Sequence, residues 1–121
     1  MRAAIRDVIF DPDPRSLPDD PARFVLQARL LVGPSDDQGD ESFYLTVCTP
    51  QWLAARVRNE GIISGLHLLI VDADSFDERA VRRWLEKKVS AMEAASWVEL
   101  TARLSRIGWW EFEDYVESPG P

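Results

Sequence analysis

The chain has 121 residues, 45% of them hydrophobic, which suits one folded domain and leaves little room for two. Its 21 acidic residues outnumber its 14 basic residues, and the net charge of −7 disfavours nucleic acid and anionic membranes as partners. One Cys and one His exclude an intramolecular disulfide and a zinc site built from these residues, and no cofactor is predicted. The longest strongly apolar run, residues 68–71, is too short to span a membrane, and Asp7 interrupts any signal-peptide stretch, so a cytoplasmic protein is expected.

Three β-strands are predicted in the first part of the chain. Residues 3–10 suit a strand, and the four prolines and four aspartates of residues 11–21 indicate a loop. Residues 22–32 and 42–49 alternate apolar and polar side chains, and a polar turn joins them, which predicts an antiparallel pair. The predicted core faces are Phe24, Leu26, Ala28, Leu30 and Val32 in one strand and Phe43, Leu45 and Val47 in the other.

Three helical segments follow. Thr49 and Pro50 suit the N-cap and the first turn of a helix over residues 50–60. Ser75 and Ser96 each stand three residues before a Glu, the spacing of a capping box, which predicts two further helices. In the first of these, Trp84 falls on the apolar stripe and is expected in the core.

Two strands complete the predicted fold. Residues 66–73 are apolar on both faces, which predicts a central strand covered on both sides. Residues 109–116 are predicted to form the last strand, with Trp110 and Phe112 on its core face. The order β-β-β-α-β-α-α-β predicts an α+β fold, a single mainly antiparallel sheet with about three helices packed on it. One domain over residues 1–117 and a frayed tail over residues 118–121 are expected.

One pair of residues suggests nucleophilic catalysis. Cys48 lies where a strand meets a helix N-terminus, which favours a thiolate, and His67 falls in the next strand. A thiol beside an imidazole can form a catalytic pair. A lone cysteine more often serves as a small buried side chain, and this structural interpretation is the favoured one.

Two Asp-x-Asp pairs suggest metal binding. Asp11 and Asp13, and Asp72 and Asp74, have a spacing that can hold Mg²⁺ or Ca²⁺ when further oxygen ligands are present. Neither pair belongs to an EF-hand or follows a phosphate-binding glycine loop, so no metal site is predicted.

Acidic residues beside aromatic ones are the better candidates for a binding surface. Glu111 and Glu113 could serve as the acid and base of a glycosidase, but a chain this short offers few residues to line a substrate cleft. Carboxylates next to Trp109 suit an Arg or Lys of a protein partner instead. A second acidic group lies in the turn between the two alternating strands. The predicted partner-binding residues are Asp36, Asp37, Asp40, Glu41, Trp109, Glu111 and Glu113.

Three stretches of the chain resemble a known family. They are residues 43–53, residues 65–71 and residues 97–115, and their most specific parts are Cys-Thr-Pro-x-Trp-Leu and Trp-Glu-Phe-Glu-Asp-Tyr. The chain is similar to the immunity protein 8 family of bacterial polymorphic toxin systems. The resemblance implies a cytoplasmic α+β protein without enzyme activity that neutralises a cognate toxin domain. An acidic inhibitor would complement a toxin domain with a basic surface.

Two other classes of function stay open at this point. The main alternative is a small hydrolase that uses Cys48 and His67 or the pair Glu111 and Glu113. The other is a structural domain that associates with itself through an open sheet edge.

Overall fold

The computed structural model describes residues 1–16 and 22–112 and has an α+β fold. The first strand, β1 (Ala3–Asp11), and a short 3-10 turn (Pro14–Ser16) precede β2 (Val25–Pro34) and β3 (Glu41–Cys48). The elements that follow are α1 (Pro50–Glu60), β4 (Leu68–Ile70), α2 (Glu78–Ser90), α3 (Trp97–Leu104) and β5 (Trp109–Trp110). The predicted fold class and element order are confirmed.

The five strands form one sheet in the order β1-β2-β3-β4, with β5 also paired to β3. All pairings are antiparallel except that of β3 with β4, where α1 carries the chain back to start a parallel strand. β5 pairs with residues 43–44 of β3 and β4 with residues 46–48. Because β2 occupies the other side of β3, β4 and β5 lie one after the other along the same sheet edge.

One face of the sheet packs against α2 and α3 to form the core. The predicted core faces of β2 and β3 are buried, which confirms the alternation found in the sequence. The helices contribute Val81, Leu85 and Val89 from α2 and Leu100 and Leu104 from α3. α1 has no fully buried residue and lies outside this core.

The prediction of a covered central strand over residues 66–73 is wrong. β4 has only three residues and lies at the sheet edge, where Leu68 and Leu69 are partly exposed and Ile70 is 51% exposed. An apolar run shows that a segment has packing partners, but it does not show whether another strand pairs with it on each side.

The start of α2 also differs from the prediction. Asp77, not Ser75, is the N-cap, and its carboxylate accepts the N–H of Arg79 at 2.9 Å. The Ser75 hydroxyl instead donates to Asp72 at 3.0 Å. Trp84 is 45% exposed rather than in the core, because α2 buries a narrower stripe than its apolar pattern indicates. At α3 the capping prediction is confirmed, since the Ser96 hydroxyl accepts the N–H of Glu99.

The last strand is shorter than predicted within the described residues. β5 covers only Trp109–Trp110, and a turn follows at residues 111–112. Trp110 packs against the core as expected, but Phe112 is 44% exposed, with its ring 5.6 Å from that of Trp110. The prediction that Phe112 faces the core is therefore wrong. Glu113 and the expected tail at residues 118–121 lie outside the described residues, and the extent of the domain stays a prediction.

Candidate functional site

The acidic turn between β2 and β3 is held in place by Arg6 of β1 and by the close approach of Gly33 to Gly39. Arg6, at a bulge in β1, donates to the carbonyl oxygens of Pro34, at 2.6 Å, and of Asp37. A Cβ on Gly33 would overlap the carbonyl oxygen of Gly39, so the turn folds against β2 only because residue 33 has no side chain. The turn therefore has a defined position on the sheet.

β5 joins this turn at the start of β3. The N–H of Glu111 donates to the carbonyl of Ser42 at 3.1 Å, and the Glu111 carboxylate accepts the N–H of Ser42 at 2.9 Å. The indole N–H of Trp110 donates to Glu41 Oε2 at 2.8 Å. Glu41 and Glu111, which are 70 positions apart in the sequence, thus lie at the same end of β3.

Five of the predicted residues lie in this turn or at the start of β3, and we call this set the acidic corner: Asp36, Asp37, Asp40, Glu41 and Glu111. Within residues 1–16 and 22–112, none of these carboxylates forms a salt bridge. All are exposed except Glu41, which is partly exposed. The negative charge of these side chains is therefore not neutralised by an ion pair among the described residues.

An aromatic cleft lies where β5 pairs with β3, on the sheet face away from the core. The register places Tyr44 directly opposite Trp109, and the two side chains are 38% and 48% exposed. Leu66, 63% exposed, and His67 line the same cleft. Aromatic rings beside carboxylates can hold the cation of an Arg or Lys by cation–π attraction and by charge. Tyr44 and Leu66 were not among the predicted site residues, because only the cross-strand register brings them to Trp109.

His67 has a structural role in the wall of this cleft. Its φ of 60° lies in the left-handed region, which His adopts more readily than most residues. Its Nε2 contacts the carbonyl oxygen of Ser105 at 2.5 Å, and since a carbonyl only accepts, this nitrogen carries the proton. The contact ties the chain before β4 to the end of α3.

The structure does not assemble the proposed Cys48 and His67 pair. Cys48 lies opposite Ile70 in the parallel register, three residues along the chain from His67, and the His67 ring points to Ser105. Burial raises the pKa of the Cys48 thiol, which keeps it protonated instead of making it a nucleophile. Glu111 uses its carboxylate to hold Ser42, and its predicted partner Glu113 falls outside the described residues.

The Asp-x-Asp pairs have local structural roles. Asp13 forms a salt bridge with Arg15 at 2.9 Å, and hydrogen bonding to this guanidinium lowers the pKa of Asp13 to about 2. Asp72 accepts hydrogen bonds from Ser75 and from the N–H of Asp74. In the described part of the chain, no three His, Cys, Asp or Glu side chains are placed to hold a metal ion.

A comparison with protein families gave a match that covers most of the chain. The model of the family described as immunity protein 8 matches residues 10–115, which is most of the chain and includes every residue of the corner and the cleft. The chain belongs to the immunity protein 8 family. Comparisons with curated proteins and with solved structures gave no match. Among the described residues of this immunity protein 8 member, no helix is both long enough and apolar enough to cross a bilayer.

Proposed function

We propose that this immunity protein binds a cognate toxin domain and neutralises it by stoichiometric protein–protein contact in the cytoplasm. The observation that carries the proposal is the family match over residues 10–115. Two observations speak against the alternative of a thiol hydrolase. Burial raises the pKa of Cys48, and Cys48 pairs with Ile70, which is three residues from His67 along the chain.

The acidic corner and the aromatic cleft are proposed as the surface that meets the toxin domain. Five carboxylates that form no salt bridge among the described residues lie in the turn and at the start of β3, and Tyr44 and Trp109, whose rings are partly exposed, pair across β3 and β5. A fixed scaffold carries both groups, so little conformational entropy is lost on binding. We infer that the contacting surface of the toxin domain is basic, with an Arg or Lys side chain between Trp109 and Glu111.

The test of the function is co-expression with the toxin domain encoded by the neighbouring reading frame. Wild-type protein is expected to restore growth and to form a 1:1 complex with the purified toxin domain in titration calorimetry. No complex, together with no protection, would refute the proposed function. Protection without a stable complex would refute the stoichiometric mechanism and favour an enzymatic one.

A charge-neutral substitution tests the corner. Glu111→Gln keeps an Oε1 that accepts the N–H of Ser42 but removes the charge, so the melting temperature should be unchanged while the affinity for the toxin domain falls about tenfold. The matched control is Glu86→Gln, which removes one exposed carboxylate on the side of α2 near β1. Equal effects of the two substitutions would show that only net charge matters and that the corner is not the contact surface.

A further inference from the structure

A second concave surface lies between β4 and α2, on the same sheet edge as the aromatic cleft. This groove has a volume of about 240 Å³. Its lining includes two exposed apolar residues, Ile70 at 51% and Trp84 at 45%. The other apolar residues of the groove are Leu69, Val71, Phe76, Ala80 and Val81. Exposed apolar side chains gathered in a groove are typical of protein-binding surfaces.

The groove stays open because the side chains of Phe76 and Val81 are held by packing and Ala80 is small. Phe76 cannot turn into the groove freely, because its ring packs edge-to-face on buried Phe24 with 4.9 Å between the ring centres. Val81 belongs to the core. Ala80, exposed on α2, contributes only a methyl group, which leaves space for a side chain from outside.

The adjoining strand edge offers backbone hydrogen bonds. The N–H of Thr46 donates to the carbonyl of His67, and the N–H of Val71 donates to the carbonyl of Cys48. In a parallel pair this pattern turns the backbone groups of alternate residues toward β3, so the N–H and C=O of Ile70 point away from the sheet. In the described part of the chain, neither group of Ile70 has a hydrogen-bond partner. An unpaired edge of this kind can accept an added strand.

Two carboxylates at the mouth of the groove favour a basic partner. Asp72 and Asp77 both line it, both are exposed, and neither forms a salt bridge within the described residues. Lys88 lies near the other end, with its ammonium 5.3 Å from the centre of the Trp84 ring. A second copy of this chain would bring its own net charge of −7 to this acidic mouth, which disfavours self-association.

We propose that the groove receives an extended segment of the toxin domain, which adds as a strand to Ile70, inserts an apolar side chain beside Ala80 and Trp84, and places a basic side chain against Asp72 and Asp77. The inference rests on the proposed function. It is consistent with the placement of β4 and β5, which follow one another along one side of β3. The groove lies on the α2 side of this edge and the aromatic cleft on the opposite face, so a partner that contacts both must wrap around the edge.

Filling the groove tests the side-chain contact. Ala80→Phe places a ring in the groove from an exposed helix position, so the protein should keep its melting temperature while the dissociation constant for the purified toxin domain rises tenfold or more. The matched control is Ala102→Phe at an exposed position of α3, which should leave the dissociation constant unchanged. Unchanged affinity of Ala80→Phe would overturn the proposed insertion.

Removing one outward N–H tests the strand addition. Proline is tolerated at an edge position whose N–H faces solvent, so Ile70→Pro should fold but bind the toxin domain more weakly than Ile70→Ala, which loses the side chain and keeps the N–H. Circular dichroism of both variants checks the fold. If Ile70→Pro does not fold, Trp84→Ala and Asp72→Asn replace it, and both must weaken binding for the proposal to stand.

The outcomes separate this proposal from the function on which it rests. If the wild-type protein does not bind the toxin domain, both fail. If wild type binds and Ala80→Phe binds equally well, the proposed function stands and the groove proposal fails. If wild type is a dimer in sedimentation and Ala80→Phe is a monomer, a second copy occupies the groove, and the proposal fails as well.

Discussion

Cys48 shows how burial determines the chemistry of a single residue. Its side chain is fully buried at the end of β3, next to Thr49, whose hydroxyl caps α1. Transfer of a thiolate into this environment is costly, so burial raises the pKa of the thiol. The helix N-terminus that made Cys48 a candidate nucleophile is therefore outweighed by desolvation.

The stability of the protein should depend on alkaline pH through Cys48. The raised pKa means that the unfolded chain releases the thiol proton at lower pH than the folded chain. The stabilising contribution is present below the ordinary thiol value of 9.0 and is lost as the pH rises toward the raised value. Urea denaturation across this pH range should show a smaller loss of stability in Cys48→Ala than in wild type. Parallel curves for the two proteins would contradict the prediction.

Replacement of the same residue by serine tests whether the thiol has a direct role. Cys48→Ser buries a hydroxyl at a site built for an apolar side chain and should lower the free energy of unfolding by about 1–2 kcal/mol. The folded fraction should bind the toxin domain with wild-type affinity. Loss of binding in a folded Cys48→Ser protein would show that the thiol takes part in recognition.

Gly33 is the residue on which the position of the acidic turn depends. Gly33→Ala directs a methyl group at the backbone of Gly39 and should cost about 1–3 kcal/mol, as other overpacking substitutions do. Gly65→Ala is the matched control, because a Cβ at residue 65 has no neighbour within 4 Å. Thermal unfolding of both variants measures the difference, and similar melting temperatures would show that the turn can move aside.

At the level of elements, β5 is stabilised by side chains more than by its length. It has only two residues, yet Trp110 packs on the core and donates to Glu41, and Glu111 pairs with Ser42. The alternation of the sequence correctly placed Trp110 on the core side. The same alternation gave the wrong face for Phe112, two residues later. The chain leaves the strand after Trp110, so alternation no longer applies there.

The two aromatic residues of this segment should therefore differ in their effect on stability. Trp110→Ala removes a ring packed on the core and should cost about 3 kcal/mol. Phe112→Ala removes a half-exposed ring that packs edge-to-face on Trp110, and should cost about 1 kcal/mol. Chemical denaturation distinguishes them, and a larger loss for Phe112→Ala would mean that it packs more tightly than its exposure indicates.

For the whole molecule, charge should govern the rate of association more than the rate of dissociation. The net charge of −7 and the acidic corner give the protein a negative field that draws a basic partner. At physiological ionic strength the Debye length is about 8 Å, so added salt should slow association by about tenfold or more and change dissociation little. Stopped-flow kinetics at low and high salt check this, and an association rate independent of salt would remove electrostatic steering.

The sequence alone determined the fold class, the element order, the core faces of β2 and β3 and the cap of α3, because alternation and capping depend on neighbours close along the chain. Its prediction that the acidic residues of the turn and next to β5 form a binding surface stays a prediction. Only the tertiary structure placed β4 at the sheet edge, exposed Trp84 and Phe112, and brought Tyr44 to Trp109 and Glu41 to Glu111. These features depend on strand order and on cross-strand register between residues up to 70 positions apart, and no local pattern encodes either.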